Sequence, residues 1–519
     1  MFSQRLFVKT VRSIMRLGLA CVGIQASVAM VPAAPIRQPV FQEPSLIPAA
    51  PSAVPDYFCT WNIQGYTCSY ESSSQGMRRE LNETNLFGTG KSPGWLNFYP
   101  RIRADLIFVM DDSWDVPLSG DSSYFGSLIL NEERFPSYSG TPAERLKKLT
   151  AAVKARGWKG LGGWICAQPA PKFAVTNEPD YWTERLHWMR EAGFAYWKVD
   201  WGQEAHNASW RQMITGIAHQ EAPALIVEHA MTPEALKFAD VYRTYDVENV
   251  MSVAVTIDRV AQLIRQKPAG SPTLINCEDE PYIAAGLGCL IGVMRHPHAG
   301  PLPDGKPDFV FPVAGRNLKR RLDEVVRAVR WHRIAAPMAL GATADHIDAE
   351  RLKDTWRLEP NETYTAYKPG DWREASAPAR VTRGLALPEI KVGAGELTPF
   401  VLASRATNGA VAIATIGRTV GRQYQNPRAA ITLDVENARG PFGIFGVFGS
   451  LTLKFDHPLP HVRILAQDLA ADYSTDITAD VLIRGNELTL SGELISKIGL
   501  SAASANDLSE PGLVLVVTQ

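Results

Sequence analysis

Between about residues 56 and 345, short apolar and β-branched runs alternate with stretches whose apolar residues recur at helical spacing. The runs predict buried strands and the stretches between them predict amphipathic helices. One helix start is especially well marked, because Thr141-Pro142-Ala143-Glu144 combines a capping box with proline at the first helical position. The predicted strands cover residues 58–66, 105–117, 159–168, 196–202, 224–230, 240–248, 273–280 and 287–297. Eight strands with helices between them predict a (β/α)8 barrel over residues 56–345; a doubly wound open sheet is the competing architecture.

The pattern changes from about residue 346. Short alternating runs such as AVAIATIG and SLTLKF are separated by Gly, Pro, Asn and Asp. Alternation of this kind is typical of half-buried strands joined by turns. Residues 346–519 are therefore predicted to form a C-terminal antiparallel β-sandwich domain.

The amino terminus has the pattern of a secretory signal. Residues 1–29 carry four basic residues, then the apolar run LGLACVGI and the small-residue sequence Ser27-Val28-Ala29. This pattern predicts a cleaved signal peptide, hence a secreted or periplasmic protein without an integral membrane span. Residues 30–55, rich in Pro and Ala, are predicted to be a linker.

Charge and cysteine content narrow the classes of partner. The formal net charge of −1 gives no broad attraction to nucleic acid. Five cysteines remain after the signal peptide, so at least one has no partner for a disulfide, and Cys59 with Cys68 is the best candidate pair. No Cys/His spacing typical of zinc is present, and neither a metal nor a cofactor is predicted.

The stretch YWKVDWG, residues 196–202, places a lysine and an aspartate inside an aromatic strand. With a side-chain period of two, Lys198 and Asp200 point to one side and Trp201 to the other. A buried charged pair is costly unless it is paired or used. A structural ion pair and a catalytic site are both compatible with this stretch alone.

Other charged and aromatic residues are predicted at the carboxyl ends of the barrel strands, where barrel enzymes place their functional groups. These residues are Trp61, Asp111, Asp112, Trp164, Lys198, Asp200, Glu228, His229, Arg243, Asp246, Glu278 to Glu280, Arg295 and His296. Carboxylates and indole rings suit a neutral polyhydroxylated ligand such as an oligosaccharide or glycoside. Glycoside hydrolysis needs two carboxyl groups, one ionised and one protonated.

Asp200 beside Lys198 fits the ionised role, because a neighbouring cation lowers the pKa of a carboxyl group. The protonated role requires a raised pKa. Asp246, flanked by Tyr245 and Val247, is the first candidate for it, and Glu248 is the alternative acid/base.

Four segments resemble a known family, the melibiase-type α-galactosidases and α-N-acetylgalactosaminidases, whose clan also holds the raffinose synthases. DDSW (111–114) resembles the family's Asp-Asp-Gly-Trp element, and KVDWG (198–202) resembles its Lys-Tyr-Asp nucleophile strand. YRTYD (242–246) is similar to the Trp-Arg-Thr segment before the acid/base aspartate. INCEDEPYIAAGLG (275–288) resembles the Asn-Asp-Pro-Asp segment on strand seven.

The resemblance implies a retaining double displacement, with Asp200 as nucleophile and Asp246 as general acid and then base. It also implies substrate-binding roles. Asp111 and Asp112 would hold hydroxyls remote from the anomeric centre, Lys198 a ring hydroxyl and Arg243 the region of the 2-position. Trp61 and Trp164 would form pocket walls.

The chain departs from the family pattern at three places. One residue fewer separates Arg243 from Asp246 than is usual, which keeps Glu248 open as the acid/base. Gly202 stands where a cysteine is common. Glu228, with His229 and Ala230, occupies the strand that selects the 2-substituent in the family, without matching its pattern. The sugar is therefore open among galactose, another α-linked sugar and β-L-arabinopyranose.

Two other functions are compatible with the sequence. A metal-dependent barrel hydrolase would use four histidines, namely His206, His229, His296 and His298. The other is a carbohydrate-binding protein that keeps the barrel but has no catalytic activity. The presence of both Asp200 and Asp246 argues against this hypothesis.

Overall fold

The computed structural model describes residues 42–70, 74–245, 251–308, 315–359, 370–436 and 440–518. The predicted signal peptide, residues 1–29, lies outside the described residues, as does the first part of the predicted linker. None of the described helices is both long and apolar enough to cross a membrane.

Eight short parallel strands form the first sheet in the described part of the chain. They are β1 (Tyr57–Cys59), β2 (Ile107–Met110), β3 (Gly160–Ile165), β4 (Tyr196–Val199), β5 (Ile226–His229), β6 (Val241–Arg243), β7 (Leu274–Asn276) and β8 (Gly292–Val293). Their order is β8-β1-β2-β3-β4-β5-β6-β7. A parallel bridge from Asn276 in β7 to Leu290, just before β8, closes the sheet. This closure confirms the (β/α)8 barrel and rules out the doubly wound open sheet.

Nine α-helices accompany these strands among the described residues. They are α1 (Trp61–Thr67), α2 (Ser74–Glu80), α3 (Glu83–Phe87), α4 (Pro142–Ala155), α5 (Glu178–Ala192), α6 (Ala208–Glu221), α7 (Ser252–Gln266), α8 (Pro281–Leu287) and α9 (Leu322–Trp331). Short 3-10 helices span Trp95–Asn97, Arg103–Asp105, Ser122–Tyr124, Pro233–Lys237, Leu318–Arg320, Leu340–Ala342 and Thr478–Asp480. A two-stranded ribbon, Gly88–Thr89 with Ser92–Pro93, follows α3.

The capping box predicted at the start of α4 is present. Thr141 Oγ1 accepts a hydrogen bond from the Glu144 backbone at 3.3 Å, and the Glu144 carboxylate accepts one from the Thr141 backbone at 2.9 Å. These two bonds satisfy backbone N–H groups that a helix start otherwise leaves without partners.

Several elements are shorter than the sequence predicts. The predicted strand 58–66 ends at Cys59, and the chain turns into α1 because the Gln64 N–H bonds to the Thr60 carbonyl. In the apolar segment 287–297, only Gly292–Val293 is a strand. Helix α9 begins only at Leu322, after a 3-10 turn over Leu318–Arg320. Apolar residues in these runs predict burial correctly, but burial does not fix backbone conformation.

The C-terminal part is a β-sandwich of two larger sheets and two small ribbons. Its strands are β9 (Asp345–Ile347), β10 (Arg351–Arg357), β11 (Trp372–Pro378), β12 (Arg380–Arg383), β13 (Glu389–Lys391), β14 (Phe400–Arg405), β15 (Val411–Ile416), β16 (Arg418–Val420), β17 (Gln423–Gln425), β18 (Ala430–Glu436), β19 (Phe442–Phe445), β20 (Ser450–Phe455), β21 (Arg463–Asp468), β22 (Thr475–Asp476), β23 (Leu482–Arg484), β24 (Glu487–Ser491) and β25 (Gly512–Thr518). Helix α10 (Gly492–Gly499) follows β24.

The two larger sheets have the orders β9-β12-β14-β15-β19-β25-β21-β22 and β13-β18-β20-β24-β23. Apolar residues of both, such as Ile413 and Leu433, form one buried core. Most pairings are antiparallel as predicted, but β12–β14, β15–β19 and β18–β20 are parallel. The chain crosses from one sheet to the other between the strands of each parallel pair, so both strands run in the same direction.

Residues 42–55, the described part of the predicted linker, pack against the rest of the protein. Glu43 forms a β-bridge with Ser474, and Ile47 is buried. The Ser52 N–H donates to Asp105 Oδ1 at 2.7 Å. Composition alone did not indicate these contacts, because the few apolar residues in this stretch follow no period.

Candidate active site

A cavity of about 240 Å³ lies at the carboxyl ends of the barrel strands. The described residues around it are Trp61, Asp111, Asp112, Trp164, Lys198, Asp200, Trp201, Arg243, Tyr245, Glu278 and Met294. Four of these residues are acidic and two are basic. Eight of these residues were predicted from the sequence to lie at the strand ends, and the other three are Trp201, Tyr245 and Met294.

Asp200 follows β4 and is 7% exposed. Its Oδ2 accepts a hydrogen bond from the indole N–H of Trp164 at 2.8 Å, and its Oδ1 accepts one from Arg243 Nη2 at 3.0 Å. Burial alone raises the pKa of this carboxyl group, but Arg243 and Lys198 outweigh burial and hold the pKa below its ordinary value. Asp200 is therefore ionised at neutral pH.

Lys198 contacts a different carboxylate from the one that the sequence suggested. Its Nζ donates to Asp111 Oδ2 at 2.7 Å, and both side chains are buried. Burial lowers the pKa of Lys198, but Asp111 and Cys59 outweigh it, so the pKa ends above its ordinary value. The cation in direct contact with Asp200 is Arg243, and Lys198 acts on Asp200 from further away.

Cys59 is part of this cluster. Its Sγ lies 2.7 Å from Asp111 Oδ2 and 3.5 Å from Lys198 Nζ. Burial raises the pKa of the Cys59 thiol well above its ordinary value, and Asp111 adds to the rise. The suggested Cys59–Cys68 disulfide is wrong, since Cys59 is a buried thiol at the end of β1.

Asp112 is bound by a residue that sequence reasoning missed. Arg78, on α2, donates from Nε to Asp112 Oδ2 at 3.0 Å, and Ser113 Oγ donates to Oδ1 at 2.6 Å. Burial raises the pKa of Asp112 to about 6, and Arg78 opposes the rise. The Arg78 guanidinium also lies 4.8 Å from the ring of Phe125 and 5.6 Å from the ring of Trp201. Arg78 lies on a short helix after β1, and neither a motif nor a strand end in the sequence pointed to it.

Arg243 is the centre of a buried network beneath the cavity. Besides Asp200, its guanidinium contacts Glu278 at 3.0 Å and Glu228 at 3.3 Å. Glu228 also accepts hydrogen bonds from Tyr196 Oη at 2.9 Å and Asn276 Nδ2 at 2.6 Å. Burial raises the pKa of Glu228, against the opposing effect of Arg243.

The network corrects the prediction for Glu228. The side chain of Glu228 is 0% exposed and is not among the described residues around the cavity. It supports Arg243 from below and does not reach the space where a ligand would bind. Its position in β5 puts it one layer deeper in the barrel than the strand ends.

The sequence assigned no role to Glu278 and the wrong side of the strand to Trp201. Glu278 follows β7 and was only one of several rim carboxylates in the sequence. Trp201 was predicted to face away from Lys198, but it lies at the cavity. Strand β4 ends at Val199, so the alternation of side chains no longer applies to Trp201.

The predicted acid/base Asp246 and its alternative Glu248 lie outside the described residues. Tyr245, the residue before Asp246, lies at the cavity rim, 42% exposed. Its ring centroid is 4.7 Å from the Arg243 guanidinium.

The four histidines that a metal-dependent hydrolase would use do not converge on one site. His229 bonds through its two ring nitrogens to Arg211 at 2.9 Å and Thr215 at 2.7 Å, against α6. His296 and His298 pack against Tyr66, and His206 is exposed. In the described part of the chain, no group of three or more His, Cys, Asp or Glu side chains is arranged to hold a metal ion.

No protein-family model matches this chain, and no curated protein matches it. Several solved structures do match this chain, at low sequence identity. An α-galactosidase from Saccharomyces cerevisiae is 11% identical with a TM-score of 0.40, covering 90% of this chain and 96% of its own. A β-L-arabinopyranosidase from Geobacillus stearothermophilus is 10% identical with a TM-score of 0.38, and the match covers 89% of this chain and 96% of the arabinopyranosidase. An α-galactosidase from Mortierella vinacea is 11% identical with a TM-score of 0.38, covering 91% and 98%. Similarity this low does not carry an activity from one protein to another.

Proposed function

We propose that this protein is a retaining glycoside hydrolase that releases terminal α-linked sugars. The observation that carries the proposal is Asp200, a buried carboxylate at the cavity with a lowered pKa. A nucleophile in glycoside hydrolysis must stay ionised while the anomeric carbon approaches it. Arg243 and the Trp164 indole supply that condition and fix the orientation of the carboxylate.

The rest of the cavity suits the hydroxyl groups of a sugar. Asp111, Asp112 and Glu278 offer carboxylate oxygens, which accept hydrogen bonds from hydroxyls. Trp61 and Trp201 add indole rings that can cover the apolar C–H face of a pyranose. We propose a galactoside as the first substrate, and another α-linked sugar or a β-L-arabinopyranoside would use the same groups.

The second carboxyl group is proposed from the sequence. Asp246 directly follows Tyr245, which lies at the cavity rim, and Glu248 is the alternative. In the first step this residue would donate a proton to the leaving oxygen, and in the second it would take a proton from water. Secretion or export to the periplasm is likewise proposed from the signal sequence in residues 1–29.

The first test is hydrolysis of a panel of aryl α- and β-glycosides, with and without a chelator. The proposal expects release from an α-galactoside that the chelator does not reduce, and a first-formed sugar that keeps its anomeric configuration by NMR. Activity lost on chelation would favour a metal-dependent hydrolase. Silence across the panel together with binding on a glycan array would favour a non-catalytic carbohydrate-binding barrel.

The nucleophile is tested by Asp200→Gly. We expect a loss of kcat on the order of 10³-fold or more, because the covalent step is removed. Azide fits the space of the missing carboxylate, so it should restore turnover and give a glycosyl azide of inverted configuration. A variant with a near wild-type rate, folded by circular dichroism, would remove Asp200 from the mechanism.

A further inference from the structure

Asp115 is a buried carboxylate that the two-aspartate mechanism does not use. It follows β2, is 3% exposed and is not among the described residues around the cavity. Its Oδ2 accepts hydrogen bonds from the Gly126 N–H at 3.2 Å, the Leu128 N–H at 3.1 Å and the Ser127 hydroxyl at 3.4 Å. Its Oδ1 has no hydrogen-bond partner in the described part of the chain, so every side-chain hydrogen bond of Asp115 there goes to the turn 126–128.

The backbone of the turn 126–128 is strained. Leu128 has φ of 55°, in the left-handed region that non-glycine residues seldom adopt, and Gly126 has φ of 89°. A Cβ on Gly126 would collide with the carbonyl oxygen of Gln168, so the turn packs directly against the chain that follows β3. Strained backbone persists only where the surrounding structure holds it. The Asp115 carboxylate does this by binding two of the N–H groups of the turn.

Phe125, the residue before the turn, packs against groups that build the cavity. Its ring lies nearly perpendicular to the indoles of Trp164 and Trp201, with ring centroids 6.0 Å and 5.2 Å away. Both tryptophans line the cavity. The Arg78 guanidinium, which binds Asp112, lies 4.8 Å from the centroid of the Phe125 ring. The turn therefore sets the position of a ring on which three supports of the cavity rest.

We propose that Asp115 is a positioning residue for the proposed hydrolysis. By holding the turn, it keeps Phe125 against the Trp164 indole, whose N–H donates to the nucleophile Asp200 at 2.8 Å. Groups at a reaction centre keep their productive geometry when packing locks their rotamers. This inference rests on the proposed function and extends it to a residue that contacts neither the sugar nor the reacting atoms.

The first test compares kcat/KM on an aryl α-galactoside for three variants, each assayed well below its unfolding temperature. Asp115→Ala removes the acceptor, and we expect kcat/KM to fall about tenfold or more, because the geometry around the nucleophile is loosened. Asp115→Asn keeps an oxygen that accepts both N–H groups, so its kcat/KM should stay within about threefold of the wild-type value.

The matched control is Asp507→Ala. The Asp507 carboxylate also accepts two backbone N–H groups on one oxygen, from Leu322 and Asp323, at a place outside the cavity. Its removal should leave kcat/KM at the wild-type value. The inference is overturned by a wild-type kcat/KM in Asp115→Ala, by equal losses in the Ala and Asn variants of Asp115, or by an equal loss in the control.

A double variant tests whether Asp115 acts through Phe125. Phe125→Leu removes the ring that contacts the indoles. If Asp115 acts through that ring, Asp115→Ala/Phe125→Leu should lose no more kcat/KM than the larger of the two single losses. Losses that multiply would show that Asp115 acts by another route and would overturn the inference.

A spectroscopic measurement keeps the inference separate from the proposed function. In protein labelled with 5-fluorotryptophan, single Trp-to-Phe variants assign the ¹⁹F resonances of Trp164, Trp201 and the exposed Trp372. Asp115→Ala should shift the first two resonances and leave the third in place, whereas Asp115→Asn and Asp507→Ala should shift none of them. If the wild-type protein hydrolyses no glycoside, the proposed function fails and these spectra still decide the role of Asp115. Unshifted Trp164 and Trp201 resonances in Asp115→Ala would refute it.

Discussion

Arg78 Nε donates a hydrogen bond to Asp112 Oδ2 at 3.0 Å, although Arg78 is on α2 and Asp112 follows β2. The contact gives a buried cavity carboxylate its nearest cation. Burial raises the pKa of Asp112 to about 6, and Arg78 keeps it from rising further. The ionised state of Asp112 at neutral pH therefore depends on a residue outside the strand ends.

The first prediction concerns the pH dependence of Arg78→Ala. Asp112 is ionised above its pKa and protonated below it, so sugar binding through its carboxylate should weaken as pH falls through about 6. Without Arg78 that pKa rises further, and the acid limb of kcat/KM should move to higher pH. We also expect KM at pH 7 to rise about tenfold, because part of Asp112 is then protonated.

The matched control is Arg79→Ala, since Arg79 is an exposed neighbour on the same helix. It should keep the wild-type pH profile. An unchanged acid limb in Arg78→Ala would show that Asp112 does not control binding in this pH range.

The sequence predicted the barrel because each strand has its own apolar run and the strand ends follow one after another. Lys198, Asp200 and Arg243 were found in that way, since they lie in or directly after strands β4 and β6. The rule of alternating side chains held up to Val199 and failed at Trp201, where the strand has ended.

The sequence could not show which side chains contact each other across the barrel. It could not show that Lys198 contacts Asp111, because that pair joins two strands far apart in the chain. Glu228 illustrates a second limit. A carboxylate near a strand end can face the ligand or lie one layer below it, and only the register of β5 with its neighbours decides.

The second prediction tests the layer beneath the cavity. Tyr196→Phe removes the hydrogen bond from Tyr196 Oη to Glu228 Oε2, which is 2.9 Å long and fully buried. Leaving a buried acceptor with one donor fewer should cost about 1–3 kcal/mol of unfolding free energy. KM should change little, because Glu228 does not reach the cavity. Urea denaturation measures the stability, and Tyr66→Phe is the control, since its hydroxyl bonds to the Pro301 carbonyl at the surface. A loss equal to that of the control would contradict a supporting role for Glu228.

The third prediction concerns the thiol of Cys59. Burial raises its pKa well above the ordinary value, so little thiolate exists at neutral pH. We expect iodoacetamide to leave Cys59 unmodified in the native protein and to modify it in urea. Peptide mass spectrometry measures both states, with the half-buried Cys68 as an internal comparison. A Cys59–Cys68 disulfide in the purified protein would contradict the structure directly.

The last prediction separates stability from catalysis in the Lys198–Asp111 pair. Lys198→Met leaves the Asp111 carboxylate buried without its cation, which should cost about 3–5 kcal/mol of unfolding free energy. Adding Asp111→Asn removes the stranded charge, so the double variant should regain most of that loss. Guanidinium denaturation of the wild type, both single variants and the double variant gives the coupling energy between the two residues. Losses that simply add would show that the two side chains do not interact.

The pKa of Asp200 should rise in both variants that lack Lys198, because Lys198 helps to lower it. If the double variant recovers its stability but is less active than Asp111→Asn alone, Lys198 contributes to the function of the cavity as well as to its structure.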